Sequence, residues 1–392
     1  MLSPRTCRLS QHSIEYPAFE FDSRLTRAVI ELERARASLG GGTTPLTVYD
    51  QLKSLAQLLT SIMSARIEGN RTSILDAVSG IARDMRGDDG DADEGVAEIL
   101  NIRRAVVRRR PRRDLTDHEP LRSRTPSHRR RGLSREGHRT PGAYRLGEVT
   151  IGQSSHRPPW PADVPDLMNA LLEFIAEEVE PQKQLLQIAI AHHRFLWIHP
   201  FGNGNGRVAR LLTYAMLVRN RFIPSSDSRA INPTAVFGAN RAEYSHHLEL
   251  ADTLTNEGII AWCTYLLEGL AADVRKLTRL NDADFVTDEL LIPAIERMRR
   301  SGEVKAAEAS ALSIAAQRTI VTAADLEPAL PGSPASRSQA IRRLVDRGLL
   351  EREPDSPRKY HMAFSPNDLT IHLVHRLDRV GLLPRILTEG PT

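Results

Sequence analysis

Between His199 and Arg210 the chain reads His-Pro-Phe-Gly-Asn-Gly-Asn-Gly-Arg-Val-Ala-Arg, so an imidazole, a Gly-x-Gly bend and two arginines share one short stretch. Gly204 and Gly206 carry no Cβ, so the backbone N–H groups there can turn toward an anion and approach it closely. The stretch opens into the apolar run Leu211 to Val218, which places those donors at a helix N-terminus, where aligned peptide dipoles favour negative charge. Arg207 adds a planar fork suited to phosphate oxygens, and Arg210, one turn on, reaches the same side. A di- or triphosphate suits this set better than a single carboxylate. His199 stands just before the bend with the one side chain whose ordinary pKa lies near neutrality, so it can take a proton from an incoming hydroxyl. The plainer reading of the same residues is a helix C-cap histidine before a proline, with glycines serving a tight turn.

The elements that must hold this loop are helices. Leu25, Ala28, Val29 and Leu32 fall at helical spacing, and the Gly40-Gly41-Gly42 run ends that segment. A second helix is expected from about Leu46 to Ile67, a third over Lys183 to Ile198 closed by Pro200, and a fourth over Gly206 to Arg219. The fourth is apolar around most of its circumference, which suits the middle of a bundle. Further on, Ser336 to Leu350 has Ile341, Leu344, Val345 and Leu349 as one buried stripe, with Arg337, Ser338, Arg342 and Arg343 on polar faces. A hairpin is expected over Glu351 to Met362, around Pro354 to Pro357.

Bulk composition bounds the rest. The 392 residues, 41% hydrophobic, suffice for two or three cores. Cys7 and Cys263 are the only cysteines, which excludes a disulfide framework and suits a reducing compartment. No apolar run approaches a membrane span and Met1 to Tyr16 lacks an apolar signal core, so no membrane partner is expected and the cytoplasm is the expected location. A net charge of +4 is too small to argue for nucleic acid by itself.

His199, Pro200, Phe201, Gly204, Asn205, Gly206, Arg207 and Arg210 match H-P-F-x-x-G-N-G-R-x-x-R without a gap, and in this the chain resembles the Fic-domain family. The resemblance implies a mainly α fold, a Fic-type helical bundle with a small β-hairpin flap. It also implies an enzyme, a protein adenylyltransferase that moves AMP from ATP, with Mg²⁺, to a Ser, Thr or Tyr hydroxyl of a target protein. By the same resemblance His199 deprotonates the acceptor, Asn205 and the backbone from Gly204 to Arg207 hold the α- and β-phosphates, and Arg210 meets the γ-phosphate. Asn203 stands where the family has Asp or Glu, so it is at most a weak metal ligand, because Mg²⁺ favours charged oxygens.

Upstream, Ser64 to Gly69 follows the pattern [S/T]-x-x-x-E-[G/N], similar to the family's inhibitory motif. The resemblance implies that Glu68 pairs with Arg210 and displaces a γ-phosphate, with Ser64 and Gly69 completing the motif. Read locally, a charged residue before Gly-Asn is a helix C-terminus with its cap. Val149, Thr150, Ile151 and Gly152 correspond to the flap that would pair with the target strand. Tyr244 corresponds to an adenine-lining position, with a core tyrosine as the alternative, and Asp252 stands where such proteins carry an asparagine.

The expected organisation is an N-terminal helical region with the inhibitory helix over 1–100, a basic segment over 101–140, a Fic core over 141–275, and a helical linker with a winged helix-turn-helix over 276–392. The segment from Arg103 to Arg131 is crowded with arginine and follows the acidic run Asp88 to Glu94. It reads as a solvated linker, as a basic arm for nucleic acid, or as the product of a reading-frame shift between about Val106 and Gly132, since related chains carry an amphipathic helix here. The C-terminal arginines could sit on DNA phosphates, or the unit could dock a protein; a homodimer is compatible with either. Two functions remain in view: an autoinhibited adenylyltransferase, and a non-catalytic nucleotide-sensing or DNA-binding regulator on a Fic scaffold.

Overall fold

The computed structural model describes residues 13–39, 41–85, 94–108, 142–152, 154–222, 236–364 and 366–388. Among these the chain is mainly helical, with one small three-stranded sheet. Helix α1 spans Arg24–Ala37, with Ser23 as N-cap accepting from the Thr26 N–H, and is followed by α2 (Leu46–Ile67), α3 (Ile74–Met85) and α4 (Glu94–Arg108). Next come α5 (Val164–Ala176), α6 (Pro181–Ile198), α7 (Asn205–Arg219), the short α8 (Val236–Ala239), α9 (Arg241–Asp252) and α10 (Asn256–Thr278).

The bundle is built around α2, α6, α7 and α10. Leu25, Ala28, Leu32 and Ala35 are the buried stripe of α1, which packs on α10 and is fixed at its rim by a bidentate Arg24–Glu268 pair at 2.6 Å. Trp262, Leu266, Leu267 and Leu270 of α10 are fully buried, and the Trp262 indole donates to the Ala189 carbonyl of α6 at 2.7 Å. The helices expected over Leu46–Ile67, Lys183–Ile198 and Gly206–Arg219 are present as α2, α6 and α7, each to within a few residues at its ends, whereas α10 was not singled out in the sequence. Removing these apolar stripes from water supplies the main drive for such helices, which are marginal alone.

The last third begins with a π-helical turn, Phe285–Leu291, running into α11 (Ile292–Arg300). Pro293 has no N–H to give the Glu289 carbonyl four residues back, and that carbonyl is taken instead by the Arg376 guanidinium. Helix α12 (Ala306–Arg318), strand β1 (Ile320–Thr322), helix α13 (Pro334–Asp346), strands β2 (Leu350–Glu353) and β3 (Ser356–Met362), α14 (Asp368–Arg379) and α15 (Arg385–Thr388) follow. The sheet order is β1-β3-β2, antiparallel throughout, with Ile320 opposite His361 and Leu350 opposite Met362. Side chains of α2 reach this third at both ends: the Gln51 amide bonds Met362 O and Phe364 N, and Arg66 donates to the carbonyls of Ile386 and Leu387.

Three expectations change. Val149–Gly152 forms no strand among the described residues; with no neighbouring strand it has no ladder to join, and it closes with a turn in which Ser154 N–H donates to Ile151 O. The segment expected over 101–140 begins inside a helix, since α4 continues to Arg108, while residues 109–140, most of the acidic run at 88–94, and Cys7 lie outside the described residues. Arg337, expected on a polar face, is only 8% exposed, because its guanidinium caps the Leu330 carbonyl and pairs with Glu327 at 2.6 Å.

Candidate active site

Helix α6 ends at Ile198 and His199 is its C-cap, in the left-handed region at φ 51°, ψ 58°. A non-glycine residue held there costs of order 1–2 kcal/mol, so the surroundings must impose it. The carbonyl of Leu196 can only accept, so the 3.2 Å bond from His199 Nδ1 fixes the proton on Nδ1. The lone pair is therefore on Nε2, the atom a general base needs. Burial pushes the His199 pKa down to about 4, with the charge of Arg145 adding to the shift while the Leu196 hydrogen bond and Glu68 oppose it. The imidazole is thus neutral at neutral pH.

The loop itself is braced from below. Asn205 Oδ1 accepts from the Phe201 N–H at 3.0 Å and its Nδ2 donates to the Phe201 carbonyl at 2.8 Å. This buried side chain spends its Oδ1 and one of its two amide protons on the loop, so it shapes the bend. Phe201 anchors the same bend between Tyr144 and Phe195, with ring centroids 6.0 and 6.1 Å away. Gly204, at φ +83°, is the N-cap of α7, and the first bond of the helical ladder runs from Val208 N–H to Gly204 O. The N–H groups of Asn205, Gly206 and Arg207 precede that bond at the positive end of the helix, where an anion is favoured.

Both arginines are engaged by carboxylates. The Arg210 guanidinium donates to Glu68 Oε1, to Ser64 Oγ and to the Ser64 carbonyl, each at 2.9 Å. Glu68 is the C-cap of α2, and Gly69, at φ +97°, turns the chain away behind it, so the local cap reading and the pairing with Arg210 are one structure. Gly206 makes this approach feasible, since a Cβ there would collide with the Glu68 carboxylate. Arg207 pairs with Glu98 of α4 at 2.5 Å, and the second Glu98 oxygen accepts from Asn70 at 2.8 Å. Glu98 and Asn70 were not singled out in the sequence, where Glu98 looks like one more charge on an amphipathic helix.

Asn203 is exposed, and its Oδ1 accepts from its neighbour Gly204 N–H at 2.6 Å and lies 3.4 Å from an Arg207 nitrogen. No group of three or more His, Cys, Asp or Glu side chains suited to a metal exists among the described residues. Neutral and already hydrogen-bonded, this oxygen is a poor match for the Mg²⁺ that the resemblance implies. Tyr244 is a core side chain here: its hydroxyl bonds His192 Nε2 at 2.8 Å and its ring lies between Phe237 and Trp262. Asp252 accepts from His193 at 3.0 Å. Among the described residues no helix is long and apolar enough to cross a membrane.

These histidines give a pH prediction. His192, His193 and His199 all have pKa values lowered first by burial, so below about pH 6.5 the unfolded chain binds protons that the folded one refuses. Stability from these groups is full above the unfolded value near 6.5 and is lost as pH falls below it, for His199 down to about 4. The melting temperature is expected to drop by several degrees from pH 7 to 5; a flat profile would refute the burial of these neutral rings.

Residues 121–217 match the family described as Fic/DOC. A protein adenylyltransferase Fic of Nematostella vectensis is 39% identical over 92 residues, 22% of this chain and 21% of that protein. One from Drosophila erecta is 32% identical over 120 residues, 30% and 21% of the respective lengths. The chain thus spans about a fifth of the length of the curated relatives it matches. Among solved structures, a Fic family protein from Desulfovibrio desulfuricans superposes with a TM-score of 0.49 at 20% identity, over 89% of this chain and 98% of that one. The segment 142–217 of the match contains α5, α6, the loop and all but the last two residues of α7.

Proposed function

We propose that this Fic-domain protein is an autoinhibited protein adenylyltransferase, transferring AMP from ATP to a Ser, Thr or Tyr hydroxyl of a target protein. The observation that carries the reading is a neutral His199, with its lone pair on Nε2, at the mouth of an anion-favouring helix end whose two arginines are both capped by carboxylates. In the reaction Nε2 takes the acceptor proton, the oxygen so freed attacks the α-phosphorus, and the bond from that phosphorus to the α,β-bridging oxygen breaks. Pyrophosphate leaves with the electron pair. The N–H groups at the start of α7 with Arg207 and Arg210 hold the polyphosphate, the electrostatic part of such catalysis. Glu68 on Arg210 and Glu98 on Arg207 compete for those donors, which keeps the resting chain closed.

The test is transfer of label from ATP marked on the α-phosphorus to protein in a cell extract. The full chain is expected to label little and Glu68→Gly strongly; absence of label from both sinks the reading. The neutral Asn203 oxygen, already bonded by the Gly204 N–H, favours the second reading, a nucleotide sensor without catalysis. Asn203→Asp separates the two: with Mg²⁺ the labelling rate is expected to rise about tenfold or more if a carboxylate completes a metal site, and nucleotide binding with no transfer in either form supports the sensor.

The helix, strand, helix and hairpin over 306–362 support a winged helix-turn-helix unit. Its exposed Arg342 and Arg343 are offset by Asp346 at 3.8 Å and Glu308 at 3.7 Å, and Arg337 is spent inside the fold. That charge balance favours docking of a protein over duplex DNA.

A further inference from the structure

Arg145 is 3% exposed, and its hydrogen-bond acceptors are backbone carbonyls. Its Nε donates to the His199 carbonyl at 2.9 Å, one Nη to Gly147 at 3.2 Å, and the other to Pro159 at 2.5 Å and Ile198 at 3.4 Å. Its own backbone N–H donates to the Pro200 carbonyl at 2.9 Å. Burying a permanent charge is costly unless its donors are met, and a neutral side chain would avoid that cost if only packing were needed. The planar fork reaches, at once, the base residue, its neighbour Ile198, and both ends of the excursion 147–159, while the Arg145 backbone holds the other neighbour, Pro200. That excursion carries Val149–Gly152 and is flanked by the exposed Leu146 and Trp160. A second tie, from His156 Nε2 to the Trp197 carbonyl at 2.8 Å, fastens the same excursion to α6.

We propose that Arg145 is a positioning residue for the transfer: it holds left-handed His199 and the segment Val149–Gly152 in one frame, so that a target strand paired there brings its hydroxyl to Nε2. The inference rests on the transferase reading and adds to it the residue that registers acceptor to base. Arg145 touches neither nucleotide nor acceptor; it acts through the backbone of His199 and of the segment it clamps. The charged and titratable groups that face the His199 ring are Arg145 and His156 from the 142–159 stretch and Glu68 from α2. Loss of the fork opens the loop to water and releases the imidazole from its dry surroundings.

Two variants of the full chain test this, Arg145→Met and Arg145→Lys, the second keeping the charge and one donor so that a folded protein is retained. The first readout is the titration of His199 by NMR on ¹³C-histidine-labelled protein, its resonance identified by loss in His199→Gln. It is expected near pH 4 in the parent and higher by about one unit or more in both variants, more so in Arg145→Met. The second is made in the Glu68→Gly background: kcat is expected to fall about 10- to 100-fold, with nucleotide KM within about twofold. A lowered melting temperature with the His199 titration unmoved overturns the proposal, since Arg145 would then only anchor the fold. So does a rise in nucleotide KM that accounts for the whole loss. Should Glu68→Gly itself transfer no AMP, the transferase reading fails, while the titration still decides whether Arg145 sets the frame of His199.

Discussion

In the Glu68→Gly background, His199→Ala is expected to lower AMP transfer by about 10²- to 10⁴-fold, the usual worth of a positioned general base, while nucleotide affinity stays within about twofold. The split follows from the geometry. Nε2 carries the lone pair and belongs to the acceptor side of the reaction, whereas the polyphosphate donors are the α7 N–H groups and the two arginines. The loss is therefore in kcat, read by single-turnover labelling, with binding of a non-hydrolysable ATP analogue measured separately by calorimetry. Because burial and the Arg145 charge hold the free imidazole near pKa 4, the acid limb of kcat/KM is expected well below pH 6.5, at the value of the free protein. Equal losses in binding and turnover would move His199 from base to phosphate ligand and undo the mechanism.

Legibility in the sequence followed the range of the interactions. The helices could be read because their apolar periodicity is local: Leu25, Ala28 and Leu32 mark a face whatever lies opposite, and they are buried against α10. The loop could be read because a glycine bend, a histidine and two arginines must be near neighbours to act on one anion. The Glu68–Arg210 pair, 142 residues apart in sequence, became visible only through the resemblance, since nothing local to Glu68 distinguishes a helix cap from a clamp. Glu98 and Arg145 had no such aid. Each is an ordinary charged residue whose role exists only once α4 lies beside the loop, or once residues 145–159 fold over the end of α6. Arg337 shows the converse error, where helical spacing gives the face of a residue but not whether a carbonyl beyond the helix captures its side chain. The resemblance implies a hairpin flap at Val149–Gly152, yet strand formation depends on a partner strand, and the partner on the proposed reading is the target itself.

Full release of the site is expected to involve two carboxylates, one more than the inhibitory motif alone implies, with Glu68→Gly giving the first part of the gain. Glu68→Gly frees Arg210, but Arg207 remains paired with Glu98, which Asn70 holds in place from the same turn of chain that carries Glu68. A charge-assisted bond is worth roughly 1.5–3 kcal/mol, so each carboxylate removed from competition is expected to tighten binding of an ATP analogue about 10- to 100-fold. Glu98→Gln alone should improve binding while leaving transfer slow, because Glu68 still lies against Gly206 where the polyphosphate must enter. The double variant should bind most tightly and label fastest. Since residues 68 to 70 support both clamps, the two effects are expected not to add, and a double-mutant cycle on the dissociation constants measures that coupling directly. Strict additivity would make the clamps independent. No effect of Glu98→Gln on binding would exclude Arg207 from the nucleotide site, and with it the second half of the lock.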